Sequence, residues 1–218
     1  MENEILSKIF KWLFLGLLVT FGVAYITLVN VVNNYNLART LFSGGTYWII
    51  AIIEIVIAII LGTRIYKMKG STAKILYLAY SALTGLTFST IFIAYELTSI
   101  IYVFLATSLI LGIFSYIGKN TNIDLTKFGT YLLMSLIGII ILEVINIFWM
   151  NNTLNMILCI VSIILFMIYI AYDIQKVKML SSMGVPEENL AIMGAFQLYL
   201  DFINIFIKLL RLFGNRRD

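Results

Sequence analysis

Long apolar runs alternate with short polar breaks along the whole chain. The runs cover residues 12–32, 47–66, 75–95, 98–117, 128–149, 153–174 and 190–213. Each comes close to the roughly 20 residues that carry a helix across a bilayer core. They are too long for strands, and the period-two alternation of a membrane barrel is absent, so the pattern predicts helices. The breaks are Asn33–Gly45, Lys67–Lys74, Glu96–Leu97, Gly118–Lys127, Asn151–Asn152 and Lys176–Asn189, the last holding the only proline, Pro186. Short breaks force antiparallel neighbours. The expected fold is therefore an all-α membrane protein, a seven-transmembrane-helix bundle forming one integral membrane domain over residues 1–218. The run from Trp12 to Val32 is too long for the core of a signal peptide, and no small-x-small cleavage site follows it. It is read as the first span. Trp12, Trp48 and Trp149 fall near span ends, where interfacial tryptophans belong.

Composition sharpens this picture by exclusion. Of 218 residues, 61% are hydrophobic and 12% charged. Seven spans take about 140 residues, which leaves no room for a water-soluble second domain. There is no histidine, which excludes imidazole-ligated haem or zinc and any Ser-His or Cys-His catalytic pair. The single cysteine, Cys159, excludes an internal disulfide and a multi-cysteine metal cluster. No resident cofactor is expected. No basic run with interleaved aromatics suggests nucleic acid, so the formal charge of +4 is read against the lipid bilayer.

Loop charge predicts orientation. With a cytoplasmic N-terminus, the inner segments carry Lys8, Lys11, Arg64, Lys67, Lys69, Lys74, Lys119, Lys127, Lys176 and Lys178, and the outer loops only Arg39. The C-terminal end departs from the rule, since Lys208, Arg211, Arg216 and Arg217 then fall outside.

Ionisable groups at bilayer depth cost roughly 2.5–3.5 kcal/mol each on insertion scales, so they should face the bundle interior or a wet cavity. On a wheel of about 100° per residue, Gln197, Asp201, Asn204 and Lys208 share one stripe of the seventh span. Tyr199, Ile203, Phe206, Leu210 and Phe213 occupy the other side, with Phe206 expected towards lipid or the outer part of the bundle. The stripe either lines a hydrated path or hydrogen-bonds between helices. On the sixth span Ser162, Tyr169 and Asp173 share a face, with Lys176 close to it. Arg64 either snorkels to the inner surface or reaches inward to Asp173 and Asp201. Glu54 and Glu143 are either hydrogen-bonding structural carboxyls or members of a path.

Three segments together resemble the Bax inhibitor-1 family, the transmembrane Bax inhibitor motif proteins. They are ALTGLTFSTIF at Ala82–Phe92, IAYDIQKVK at Ile170–Lys178 and GAFQLYLDFINIFIKLLRLFG at Gly194–Gly214. The resemblance covers nearly the whole chain, and the short ends point to a bacterial member in the plasma membrane. It implies a bundle with the seventh helix central and a pH-sensitive leak of Ca²⁺ as the permeating ion. It also implies a pH sensor of Asp173 and Asp201, with Arg64 bonded to the pair, and an acid on the ion path at Glu54; with the stripe read above, the expected path runs through Glu54, Gln197, Asp201 and Asn204. Two carboxyls in a low-dielectric site cannot both ionise cheaply, so such a pair titrates as a unit. Its oxygens suit a hard cation held transiently, by Asp173 and Asp201, rather than in a closed cage. The expected partners are thus the bilayer, Ca²⁺ and protons.

Three other classes compete. A non-transporting scaffold or regulator would bind other membrane proteins with the same spans. An intramembrane aspartyl protease would also place an aspartate after a tyrosine, as Tyr172–Asp173 does. However, Gln197-Leu198-Tyr199-Leu200 stands before Asp201 where a G-x-G would be expected, and no P-A-L motif is present. A retinal-binding photoreceptor would need Lys208 deeper in the seventh span and a mid-membrane acid in the third.

Overall fold

A computed structural model describes residues 2–42 and 44–217; Met1, Ser43 and Asp218, which the expected domain and its first break include, lie outside the described residues. The chain forms α1 (Glu2–Asn33), α2 (Tyr35–Phe42), α3 (Gly44–Arg64), α4 (Gly70–Ala94), α5 (Leu97–Asn120), α6 (Gly129–Trp149), α7 (Asn152–Ser182) and α8 (Glu187–Phe213). Short 3₁₀ turns at Ile65–Lys67 and Leu125–Phe128 lie between α3 and α4 and before α6. Among the described residues the only β-type pairing is an isolated bridge between Tyr95 and Arg216. All helices but α2 are long and apolar enough to cross a membrane, which makes seven spans.

Each expected span coincides with a helix to within two residues or lies inside it, and most of the helices run further at one end. α1 starts some ten residues before Trp12, and α7 continues past Ile174 to Ser182, because polar residues can extend a helix beyond the hydrocarbon. The Asn33–Gly45 break, read only as a polar connection between spans, holds the short helix α2. Tyr35, Leu37, Ala38, Leu41 and Phe42 give it an apolar side, and the Asn34 side chain accepts a hydrogen bond from the Leu37 amide at 3.1 Å. None of its residues is buried, as suits a short helix lying in an interface.

Local chemistry ends the helices. Met150 closes α6 in the left-handed region with φ 51°, and Asn151 then caps α7 by accepting from the Leu154 amide at 2.9 Å. Gly184, at φ 80°, supplies the turn after α7 that an L side chain rarely adopts. Pro186 stands just before α8, followed by Glu187 and Glu188, acids that complement the positive end of the helix dipole.

The residues group into two compact units. Unit 1 holds the chain up to Glu96, Ser181–Phe196 and the end from Arg216; unit 2 holds Leu97–Leu180 and Gln197–Asn215. In unit 1, α1 packs along α4. The Thr20 hydroxyl donates to the Ser81 carbonyl at 2.9 Å, and the Tyr77 hydroxyl to the Trp12 carbonyl at 3.0 Å. Gly85 permits this approach, since a Cβ there would lie 2.6 Å from the Thr20 carbonyl oxygen. The start of α8 is held by Asn189, which donates to the Ile65 carbonyl at 2.6 Å and the Met68 carbonyl at 3.0 Å. Ion pairs Lys8–Glu187 and Lys74–Glu188 flank it.

In unit 2, Gly118 of α5 meets α7 at Ala171, whose carbonyl oxygen would be 2.5 Å from an added Cβ. Leu132 and Ile139 of α6 pack with Leu165 of α7. Gln175 ties down the loop before α6, accepting from the Leu125 amide at 2.8 Å and donating to the Ile123 carbonyl at 2.9 Å. The C-terminal part of α8 brings Phe202, which meets Phe104 edge-on and stacks on Phe206. Of the seven spans α8 is the most buried, with 78% of its most apolar window inside against 11–44% for the others, which bears out its central place.

This corrects the wheel for α8. Phe206 is fully buried, as are Tyr199 and Leu210, so the apolar side does not face lipid. A helix buried all round carries two inward faces, one apolar and one polar.

Candidate functional site

Three stripes converge on one cavity of about 440 Å³ within unit 2. α8 contributes Gln197, Leu200, Asp201, Asn204 and Lys208; α7 contributes Ser162, Phe166, Tyr169, Tyr172, Asp173 and Lys176. α6 contributes Gly129, Leu133, Leu136, Ile139, Ile140 and Glu143. Most steps within each set are three, four or seven residues, so each is a single face of a helix. Two polar stripes thus look across at a third that is apolar until Glu143.

The paired carboxyls are at the heart of it. Asp173 and Asp201 are each 4% exposed and share a side-chain hydrogen bond. Such a bond needs one proton, donated by one carboxyl and accepted by the other. One oxygen of Asp201, Oδ2, is buried and takes no hydrogen bond from a described donor. The same holds for Gln197 Oε1, one turn earlier on the α8 stripe. Tyr169 and Tyr172 stand beside Asp173, and the Lys176 ammonium lies 5.7 Å from the centre of the Tyr172 ring. Asn204 lines the cavity too, and its amide donates back to the Leu200 carbonyl at 2.8 Å.

At the far end of the stripe, the Lys208 ammonium is ion-paired with Glu143 Oε1, and the Ser162 hydroxyl donates to the same oxygen at 3.5 Å. The lysine side chain is only 8% exposed. Sequence reasoning did not join these two residues. One signal was available: Glu143 and Lys208 each stand between one and two turns before the end of their helix. Opposite charges at matching depth are expected to pair.

Of the remaining expected site residues, Arg64 closes α3 in unit 1 with an exposed side chain. Glu54, also on α3, is half-buried and accepts from the Thr87 hydroxyl at 3.4 Å on α4. Neither lines the cavity, whose walls come from unit 2. Cys159 is buried in α7, as a small core residue would be.

The cavity offers oxygen: two carboxyls, a free amide oxygen and the tyrosine hydroxyls. Among the described residues no three acidic, thiol or imidazole side chains gather into a metal cage. Chemically, paired carboxyls can share a proton, and carboxylate and amide oxygens are the ligands that hard cations prefer.

The chain is similar over residues 2–218 to the family described as inhibitor of apoptosis-promoting Bax1. It is 36% identical to the inner membrane protein YbhL of Escherichia coli K12, over 97% of this chain and 92% of that protein. It is 38% identical to the Rickettsia prowazekii protein RP147, over 97% and 89% of the two chains. A protein of Borreliella burgdorferi is 35% identical, over all of this chain and 94% of its own.

Proposed function

The chain belongs to the Bax inhibitor family of membrane proteins, and from that premise we propose that it is a pH-sensitive cation leak, with Ca²⁺ as the permeating ion. The gate is the Asp173–Asp201 pair, and the path follows the α8 stripe through Gln197, Asp201 and Asn204. One observation carries this reading: a buried, hydrogen-bonded carboxyl pair at span depth, on the wall of a cavity that Gln197, Asn204 and Lys208 also line.

The physical argument is a proton count. With one proton between them, the carboxyls attract and draw α7 and α8 together. Without it they are like charges. Two unit charges about 4 Å apart repel by about 4 kcal/mol at an effective dielectric of about 20. Shifting a two-state element from mostly one form to mostly the other takes about 5.5 kcal/mol, so a single proton supplies most of what a switch needs. The charged and titratable groups facing the pair are Lys176 and Tyr172 on α7, Tyr169 beside both aspartates, and Glu143 with Lys208 further along. Lys176 favours the ionised pair, and the tyrosines can donate to it.

Calcium uptake into liposomes containing this protein alone tests the reading. A leak that varies with pH supports it. Absence of flux would leave the scaffold class, in which the chain acts only on other membrane proteins. Incubation with membrane-peptide substrates is expected to yield no cleavage, in line with the missing G-x-G before Asp201.

A further inference from the structure

A second cavity of about 280 Å³ lies in the same unit, lined by Asn146, Met150 and Asn155 near the exposed α6–α7 turn and by Arg211 of α8. Glu143 alone lines both cavities. We propose that the Glu143–Lys208 ion pair is a charged plug that separates the aspartate cavity from the membrane face bearing Met150, and that Lys208 holds cations back there. The flux part of this inference rests on the leak reading above; the plug itself does not.

A lysine buried at span depth needs a partner, and Lys208 has it in Glu143. A pair that only glued helices together would be packed on both sides. This one has open volume on both sides, with Asp201 and Asn204 lining one and Asn146 and Arg211 the other. Glu143 is the one acid lining the second cavity, which Arg211 lines as well, and its carboxylate is paired with the ammonium of Lys208. The local balance is one negative charge against two positive. A cation leaving the aspartates along the stripe therefore meets net positive charge. A cation from the Met150 face can be met only by Glu143, and only when the carboxylate lets go of Lys208. The pair is thereby a selectivity element distinct from the proton-operated pair some two turns away on α8.

Two readouts test it. In liposomes, Lys208→Gln should raise Ca²⁺ leak about tenfold, since a fixed charge inside the path acts at an effective dielectric well below that of water. Glu143→Gln, which leaves the lysine unpaired, should lower it. The exchange Glu143→Lys with Lys208→Glu should return leak towards the original level. Equal shifts of the same sign in Lys208→Gln and Glu143→Gln, as general loosening would give, would overturn the selectivity role. The second readout needs no flux. A cysteine at Leu200, in a Cys159→Ala background, is exposed to an impermeant thiol reagent on the Met150 face. Lys208→Gln should speed labelling about tenfold, and equal rates with and without the pair would overturn the plug. Absence of Ca²⁺ flux in every protein, the unaltered one included, would refute the leak reading, while labelling still decides the plug.

Discussion

Asp173 and Gln175 stand two residues apart in the YDIQ segment and point to different tasks. Asp173 faces the cavity and meets Asp201; Gln175 holds the loop before α6 by two backbone hydrogen bonds. Each such bond contributes about 1 kcal/mol net, so Gln175→Ala should cost roughly 1–2 kcal/mol of stability. Thermal unfolding in detergent should show that loss, while the pH midpoint of leak stays in place. A moved midpoint would place Gln175 in the switch itself. Asp124 provides the control for pH. The Thr126 hydroxyl, donating to it at 2.5 Å, holds its carboxyl below the ordinary value, and it stands exposed in a loop. A group shifted that way is ionised throughout the near-neutral range. Asp124→Asn should therefore leave the pH profile of leak unchanged there. The aspartate stripe was legible in the sequence because one helical period puts Gln197, Asp201, Asn204 and Lys208 on a line. The Glu143–Lys208 pair was not, because a wheel describes one helix and is silent on which side chain a neighbouring helix presents.

At the scale of the helix, small residues decide how closely spans approach. Gly118 lets α5 lie against the backbone at Ala171, one turn's reach from Asp173, whereas Gly138 of α6 looks into open space. Gly118→Leu should destabilise by about 1–3 kcal/mol, the range for overpacking a tight contact. Gly138→Leu should be neutral or gain from helix propensity. Unfolding midpoints of the two variants check this, and equal effects would show that the α5–α7 approach is not tight. The apolar side of α8 gives a second comparison. Phe206 is fully buried and stacked on Phe202, while Phe148 of α6 is 80% exposed. Phe206→Ala should cost about 3–5 kcal/mol and Phe148→Ala far less. A polar stripe on one side of a helix says that this side is protected. It says nothing of the other side, which is why the burial of Phe206 could not be read from periodicity. α2 escaped notice for a related reason: eight residues with one charge are too short to stand out beside runs of twenty.

For the whole molecule, the apolar runs made the number and order of spans legible, because lipid demands that every backbone group be bonded within its own segment. Orientation follows from loop charge, and it yields its own prediction. In a Cys159→Ala background, a cysteine at Ser71, exposed in the first turn of α4, should be shielded from an impermeant reagent applied outside cells. One at Asn151, exposed between α6 and α7, should label. The reverse pattern would invert the orientation and put the Met150 face inside.

The central claim is that the pH dependence of cation leak belongs to Asp173 and Asp201 as one unit. Calcium flux into protein-only liposomes, followed across pH for the unaltered chain, Asp173→Asn, Asp201→Asn and the double variant, tests it most directly. The account predicts a pH-dependent leak that either single change flattens, with the double change adding little, since two groups sharing one proton do not act additively. An unchanged profile in both single variants, or fully additive effects, would contradict it.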